Sequence, residues 1–173
     1  MRLGRAGDEP DLFRICFVCT GNICRSPMAE TVFDAIAVRA GYGGLIAVMS
    51  AGTGDWHVGE PADRRTLAAL AARGYRGASH RAKQFDPAWF RHLDLVVTFD
   101  RTHERVLRSW TRDEQDLAKI QPLLSFDPEL AAFGDIPDPY YSDAEHFDRV
   151  LAMIERACDS LFRQIRPAIR IGA

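Results

Sequence analysis

Residues 15–26 read ICFVCTGNICRS, an apolar run followed by cysteines, an arginine and a serine. The segment from Phe13 to Cys19 has the length and apolar content of a buried strand. From Pro27 onward, apolar residues recur at helical spacing as far as Ala40. The stretch therefore predicts a strand, a short loop and a helix. Open α/β sheets bind ligands beyond the carboxyl ends of their strands, so we expect chemistry at Cys19.

The remainder of the chain continues the alternation of strand and helix patterns. Further strands are predicted at 45–50, 93–99 and 118–123. Further helices are predicted at 63–72 and 101–110. This alternation is typical of an α/β fold with an open, mostly parallel sheet.

The last segment carries the clearest helical signal. Ser142 and Glu145 form an S-x-x-E capping box, and apolar residues then recur at intervals of three and four as far as Ile165. One amphipathic helix is predicted there, with one face packed on the core. Together these elements predict a single domain over residues 13–170, preceded by a flexible leader at 1–12.

The composition excludes several classes of partner. Apolar residues make up 47% of the chain, charged residues 27%, and the formal net charge is −2, so nucleic acid or an anionic membrane gains no general attraction. The leader MRLGRAGDEPDL lacks an apolar signal sequence, and no apolar stretch of about 18 residues predicts a membrane span. We expect a cytoplasmic protein, with export by a non-classical route left open.

The cysteine cluster allows three interpretations, of which two are poorly supported. A structural zinc site needs a second ligand pair beside Cys16 and Cys19, and the sequence offers none, so we expect no metal. A thioredoxin-like redox pair needs its reactive sulfur at the start of a helix. Cys16 lies inside the predicted strand instead, where a small buried apolar residue is expected.

The third interpretation is a phosphate-binding loop, because Cys19-x5-Arg25-Ser26 joins a strand to a helix. Backbone amides of the loop can form an anion nest, with Gly21 and Asn22 able to take the backbone conformations that it needs. Arg25 offers two parallel donors to phosphate, and Ser26 can donate to a thiolate at Cys19. The residues predicted to form this loop are Thr20, Gly21, Asn22, Ile23, Cys24, Arg25 and Ser26.

A phosphatase also needs an acid to protonate the leaving oxygen, and Asp138 in IPDPYY (136–141) is the candidate. Two prolines stiffen the segment around this carboxylate, and two tyrosines follow it. Asp-Pro is also a common start of a turn, so a purely structural role is the alternative.

With CTGNICRSPMAE (19–30) and DPYY (138–141) together, the chain closely resembles the low-molecular-weight protein tyrosine phosphatase family, and its loop sequences are similar to those of bacterial, actinobacterial members. SAGTGDW (50–56) and GEPAD (59–63) extend the match. The resemblance implies a four-stranded parallel sheet with helices on both faces, no cofactor, and hydrolysis of phosphotyrosine through a phosphocysteine intermediate.

The resemblance assigns roles residue by residue. It implies that Cys19 is the nucleophile, Arg25 the phosphate binder and Asp138 the general acid and base. It also implies that Asn22 is left-handed and shapes the loop. The residues matching the groups that support Asn22 are Ser26, Ser50 and His80.

Further roles follow from the same resemblance. Trp56, Tyr140 and Tyr141 match positions that flank the phosphotyrosine ring. Cys24 matches a cysteine that can form a reversible disulfide with Cys19. Phosphorylation of either tyrosine is left open.

Three other functions compete with that of a tyrosine phosphatase. An arsenate reductase on this scaffold relays electrons through further cysteines, and none lies between Cys24 and Cys158. A binding module without catalysis should lack the nucleophile or the acid. A phosphatase for small phosphoesters is harder to exclude, although the aromatic residues favour an aryl ester. We expect a monomer whose partners are a phosphotyrosine-containing protein and inorganic phosphate or another oxyanion.

Overall fold

The fold was analysed on a computed structural model, which describes residues 12–169; the predicted leader lies outside them except for its last residue. Four strands form one sheet in the order β2-β1-β3-β4, and every neighbouring pair is parallel. They are β1 (Phe13–Cys19), β2 (Ile46–Gly52), β3 (Leu95–Thr98) and β4 (Ile120–Pro122). The predicted single α/β domain with a four-stranded parallel sheet is confirmed.

Helices follow the strands on both faces of this sheet. The α-helices are α1 (Arg25–Arg39), α2 (Arg64–Ala72), α3 (Arg101–Ser109), α4 (Glu114–Lys119) and α5 (Ala144–Ile165). Short 3-10 turns lie at Pro87–His92, Leu123–Phe126, Ala131–Phe133 and Arg166–Ala168. Within the described residues, no helix is both long and apolar enough to cross a membrane.

Alternation along β1 divides the core into two layers. Ile15 and Phe17 face the larger cluster, which α1 and α5 cover, whereas Cys16 and Val18 face the smaller one. In the larger layer Phe33 of α1 lies between Phe17 and Phe162, with ring centroids 5.6 and 6.1 Å away. Burial on both faces explains why β1 reads as a continuous apolar run.

The start of α5 corrects the predicted capping box. The N-cap is Asp143, whose Oδ1 accepts from the backbone N–H of His146 at 3.0 Å. Ser142 lies one residue too early, and its carbonyl accepts from Arg65 Nη1 at 2.8 Å. The prediction that Ser142 and Glu145 cap this helix is therefore wrong. The aspartate at the next position accepts from the first-turn backbone N–H instead.

The boundaries of β4 and α1 also differ from expectation. The strand predicted at 118–123 begins only at Ile120, because Asp113 caps the short helix α4 through the amides of Gln115 and Asp116. A helix of this length spans too few turns to show a periodic pattern. At the other boundary, α1 begins at Arg25, two residues before the predicted start at Pro27.

Packing around Phe33 predicts a large loss of stability when its ring is removed. Phe33→Ala should lower the free energy of unfolding by about 3–5 kcal/mol, because it leaves a cavity between two other buried rings. Val38→Ala on the same helix is the control: Val38 is 58% exposed, so a change of about 0.5 kcal/mol or less is expected. Urea unfolding of both variants measures the difference, and equal effects would contradict this account of the core.

Candidate active site

The predicted loop lies at the carboxyl end of β1 and forms the floor of a cleft of about 440 Å³. The residues that line this cleft are Cys19, Thr20, Gly21, Ile23, Cys24, Arg25, Trp56, His57, Asp138, Tyr140 and Tyr141. A larger depression of about 690 Å³, lined by Glu30, His80 and Lys83 among others, does not include the cysteine. The smaller cleft is the candidate active site because it alone brings the nucleophile, arginine and acid candidates together.

The helix that follows the loop begins without a side-chain cap. Asp63, Asp100, Asp113 and Asp143 each accept from first-turn amides of the other four α-helices in the described chain. At α1 the N-cap is Cys24, and no side chain accepts from the first turn. The unused donors and the positive end of the helix dipole are therefore available to an anion in the loop.

Cys19 lies against a hydroxyl group at the bottom of the cleft. Its Sγ is 2.9 Å from Ser26 Oγ, and both residues are buried. Ser26 Oγ also accepts from Asn22 Nδ2 at 2.8 Å. Because the amide supplies a hydrogen to this oxygen, the hydroxyl's own hydrogen can be donated to a Cys19 thiolate.

Asn22 shapes the loop. It has a φ of 57° and is the one non-glycine residue of the described chain with a positive φ. Its Nδ2 also donates to Ser50 Oγ at 2.9 Å, and its Oδ1 accepts from the Lys83 backbone N–H at 3.0 Å. Its carbonyl accepts from His80 Nε2 at 2.7 Å. Hydrogen bonds with two distant segments of the chain thus hold a backbone conformation that few residues adopt readily.

Glu30 forms a layer behind Asn22. Ser50 donates to its carboxylate, and His80 Nδ1 lies 3.6 Å from the same oxygen. Burial alone would raise the pKa of Glu30, but hydrogen bonds from His80 and Ser50 bring it below its ordinary value. A charged Glu30 orients two of the three side chains that contact Asn22, namely Ser50 and His80. The sequence places Glu30 at the end of CTGNICRSPMAE but gives no sign of this function.

Arg25 lies buried beside the cleft, with its guanidinium held on one side. Nη1 donates to Asp100 Oδ2 at 2.8 Å and to the Ile136 carbonyl at 2.9 Å. Nη2 is 3.5 Å from Asp138 Oδ2. Burial opposes ionisation of Asp100, yet its interactions with His103, including the His103 backbone N–H, and then with Arg25 keep its pKa below the ordinary value. A buried guanidinium is thus paired with a carboxylate that stays charged.

Asp138 combines a turn with a place in the cleft. Its Oδ1 accepts from the Tyr140 backbone N–H at 3.1 Å, which is the local turn contact that its Asp-Pro sequence allows. Its Oδ2 faces Arg25, and 48% of the side chain is exposed to solvent. The two interpretations of this segment are therefore compatible in one geometry.

Aromatic side chains form the upper walls of the cleft. Trp56 is 69% exposed and Tyr141 94% exposed, so both lie at the rim, whereas Tyr140 is half-buried. The rings of Tyr140 and Tyr141 meet edge to face with centroids 4.9 Å apart. His57 adds a polar ring to the wall, 6.2 Å from Tyr140, and its Nδ1 contacts Glu60 at 2.8 Å.

Arg65 fastens the loop that carries Asp138. It donates to the carbonyls of Tyr140 and Ser142 at 2.9 and 2.8 Å, and it forms an ion pair with Asp63. Its guanidinium also lies over the Phe147 ring, 4.4 Å from the centroid. No motif in the sequence identifies this residue, because its partners come from a segment far along the chain.

The second cysteine of the loop is a thiol. Cys24 is buried, and burial raises its pKa to about 12. Both Cys19 and Cys24 are free cysteines in the structure. A reversible disulfide between them stays a prediction.

Comparison with known proteins identifies the class to which this site belongs. Residues 14–170 match the family model of the low molecular weight phosphotyrosine protein phosphatases. The chain is 51% identical over 158 residues to a low molecular weight protein-tyrosine-phosphatase of Streptomyces coelicolor, covering 91% of this chain and 96% of the relative. It is 45% identical over 154 residues to low molecular weight protein-tyrosine phosphatase A of Mycobacterium tuberculosis, covering 87% and 90%.

Solved structures agree with these sequence relatives. The structure of YfkJ from Bacillus subtilis superposes with a TM-score of 0.86 at 32% identity, covering 95% of this chain and all of that one. A protein tyrosine phosphatase from Entamoeba histolytica, crystallised with Hepes in its active site, gives 0.84 at 30% identity, covering 90% and 98%. The chain belongs to the low molecular weight phosphotyrosine protein phosphatase family. The predicted family and the prediction that the protein is a phosphatase enzyme are confirmed.

Two variants of Asn22 separate backbone strain from hydrogen bonding. Asn22→Gly tolerates the positive φ but loses the side-chain bonds, whereas Asn22→Ala loses the same bonds and must also hold the strained conformation. We expect both to bind phosphate more weakly than the unmodified protein, and the alanine variant to be about 1 kcal/mol less stable than the glycine variant. Urea unfolding and phosphate titration measure these effects. An alanine variant as stable as the glycine variant would show that the strain at this position is negligible.

Proposed function

We propose that the protein hydrolyses phosphotyrosine in proteins through a phosphocysteine intermediate, with Cys19 as nucleophile, Arg25 as phosphate binder and Asp138 as general acid and base. The observation that carries the proposal is the meeting of these three side chains in one cleft with aromatic walls. The uncapped start of α1 and the buried guanidinium supply positive charge at the same place.

In the first step the Cys19 thiolate attacks phosphorus opposite the phenolic oxygen. A P–S bond forms as the P–O bond breaks, and Asp138 gives its proton to the departing phenolate. Arg25 and the loop amides take up charge on the three equatorial oxygens. Asp138 suits the acid role because its Oδ2 lies in the cleft near Arg25 and its side chain is half-exposed to solvent.

In the second step water cleaves the phosphocysteine. The carboxylate of Asp138, formed in the first step, accepts a proton from the attacking water. A new P–O bond forms while the P–S bond breaks, and the sulfur leaves as a thiolate. The Ser26 hydroxyl, 2.9 Å from Sγ, stabilises the leaving sulfur and readies it for another cycle. Asn22, with its supports Ser50 and His80, keeps the loop in the shape that both steps require.

The walls of the cleft favour an aryl ester. Trp56, Tyr140 and Tyr141 surround the entrance while Cys19 lies at the floor, so a phosphate must be carried down on a long, flat side chain. A tyrosyl phosphate meets this requirement, whereas a seryl phosphate is too short to reach the sulfur. Ring contacts of this kind contribute binding beyond the area they bury.

Other chemistries on the same scaffold provide the comparisons for a test. A thiol-dependent arsenate reductase needs further cysteines in the middle of the chain, which this sequence lacks. Another structural neighbour, YwlE of Bacillus subtilis, is described as an arginine phosphatase and superposes with a TM-score of 0.78 at 27% identity, covering 89% of this chain and 96% of that one. Phosphoarginine therefore belongs among the substrates to be assayed.

The test is turnover of a phosphotyrosine peptide by the purified protein beside its Cys19→Ser variant, with and without a chelator. Phosphoserine and phosphoarginine peptides, and arsenate with a thiol reductant, are the competing substrates. We expect chelator-resistant hydrolysis of phosphotyrosine that the variant loses while it still binds inorganic phosphate. Arsenate-dependent oxidation of the reductant without hydrolysis, or a preference for phosphoarginine, would contradict the proposal.

The acid role of Asp138 predicts a dependence on the leaving group. Asp138→Asn should slow formation of the phosphocysteine by about 10²–10⁴-fold for poor leaving groups such as phenol, and far less for a nitrophenol that departs without a proton. Pre-steady-state release of a series of phenols measures this step. Equal slowing for phenols of all acidities would show that Asp138 is not the proton donor.

A further inference from the structure

One buried imidazole touches both ends of the phosphate-binding loop. His103 lies in the first turn of α3 and is 1% exposed. Its Nε2 is 2.9 Å from the Thr20 hydroxyl, at the start of the loop, and 3.3 Å from Arg25 Nη2, at its end. No sequence motif assigns a function to His103, because it lies outside the segments that carry the family resemblance.

The chemistry of the two partners fixes the proton on the His103 ring. A guanidinium has only donors, and a hydroxyl facing the same nitrogen can donate as well. Nε2 must therefore carry a lone pair, and the ring hydrogen resides on Nδ1. That nitrogen faces Asp100 Oδ1 at 3.4 Å, and it forms no hydrogen bond within residues 12–169. Asp100 therefore favours this tautomer by its charge.

The donors of Arg25 can be assigned one by one. Of the five N–H donors of a guanidinium, those on Nη1 contact Asp100 and the Ile136 carbonyl. One on Nη2 points to His103, and the Nε–H contacts no acceptor in the described part of the chain. What remains is the Nε–H and a second N–H of Nη2, which has Asp138 Oδ2 only at 3.5 Å; this edge of the guanidinium can bind two oxygens of one phosphate.

Burial and the charge of Arg25 keep the His103 ring neutral. The pKa of His103 is lowered to about 4 by burial and then by the positive charge of Arg25. Asp100, Asp138 and Asp135 act in the opposite direction but do not overcome these effects. Because the folded protein holds the imidazole as a base, Nε2 remains an acceptor at every pH well above that value.

We propose that neutral His103 is a positioning residue. Its Nε2 accepts hydrogen bonds from Thr20 and Arg25 and thereby turns the Nε–H edge of the guanidinium toward the phosphate. This inference rests on the proposed function, since it assigns Arg25 to phosphate. His103 itself does not touch the substrate. Its effect is to preorganise the binding site, so that less ordering is required when phosphate enters.

Two substitutions with side chains of similar length test whether an acceptor at the position of His103 Nε2 is required. His103→Gln carries an amide oxygen that can reach the position of Nε2, whereas His103→Met fills similar space with only a weak acceptor. His103→Met should weaken the binding of inorganic phosphate about tenfold or more and lower kcat/KM for aryl phosphates by a similar factor. His103→Gln should stay within about threefold of the unmodified protein. His92→Met, at an exposed histidine outside the cleft, is the control.

The dependence of kcat/KM on the leaving group distinguishes a misoriented Arg25 from a loss of the proposed acid, Asp138. Loss of phosphate orientation should lower kcat/KM equally for good and poor leaving groups, unlike Asp138→Asn. Phosphate affinities of His103→Met and His103→Gln that are equal to each other, whether high or low, would overturn the inference. A protein that binds phosphate without hydrolysing aryl esters would refute the proposed function, and the phosphate affinities of the variants would still decide the role of His103.

A measurement on the unmodified protein does not depend on the folding of any variant. Nitrogen NMR of the histidine rings should show His103 with its hydrogen on Nδ1 and Nε2 unprotonated from pH 8 to about pH 5. A hydrogen on Nε2, or protonation of the ring near neutral pH, would overturn the inference.

Discussion

The site depends on one strained residue and the hydrogen bonds that hold it. Asn22 reverses the backbone between Cys19 and Arg25, and a left-handed conformation there is unfavourable for any residue with a Cβ. Ser26, Ser50 and His80 reach it from separate elements, and Glu30 orients two of these three. The strain is thus balanced by contacts that exist only in the complete fold, which ties the geometry of the loop to the stability of the whole domain.

Electrostatic balance around the guanidinium is the second organising feature. A buried arginine needs a charged partner, and Asp100 supplies it at 2.8 Å. A second fully charged contact on the same edge would compete with phosphate for the remaining donors. The structure instead places a neutral imidazole against Nη2 and leaves Asp138 at 3.5 Å, near the solvent. Arg25 is therefore held in place while not all of its N–H donors are used.

Local sequence patterns predicted much of this architecture, and the failures have physical reasons. Strand β1, the loop and α1 were visible because burial and periodicity act over neighbouring residues. The cap of α5 was misplaced by one position, since Ser142 and Asp143 offer similar chemistry and only the backbone decides between them. The contacts of His103 and Arg65 were invisible, because each joins segments separated by more than seventy positions in the chain. Sequence alone thus indicated which side chains meet in the cleft, whereas their orientation depended on contacts between distant segments.

The attachment of the Asp138 loop bears on the timing of the reaction. Arg65 donates to two carbonyls of that loop and also contacts Asp63, the cap of α2, and the Phe147 ring of α5. Asp138 therefore lies on a segment that is held to the rest of the domain. In enzymes whose catalytic residues lie on a mobile loop, that loop must close before each turnover. With Asp138 as the proton donor that we propose, the acid lies in the cleft before the substrate arrives. The proposal then implies that turnover is limited by bond making and breaking or by release of phosphate, and not by closure of a loop.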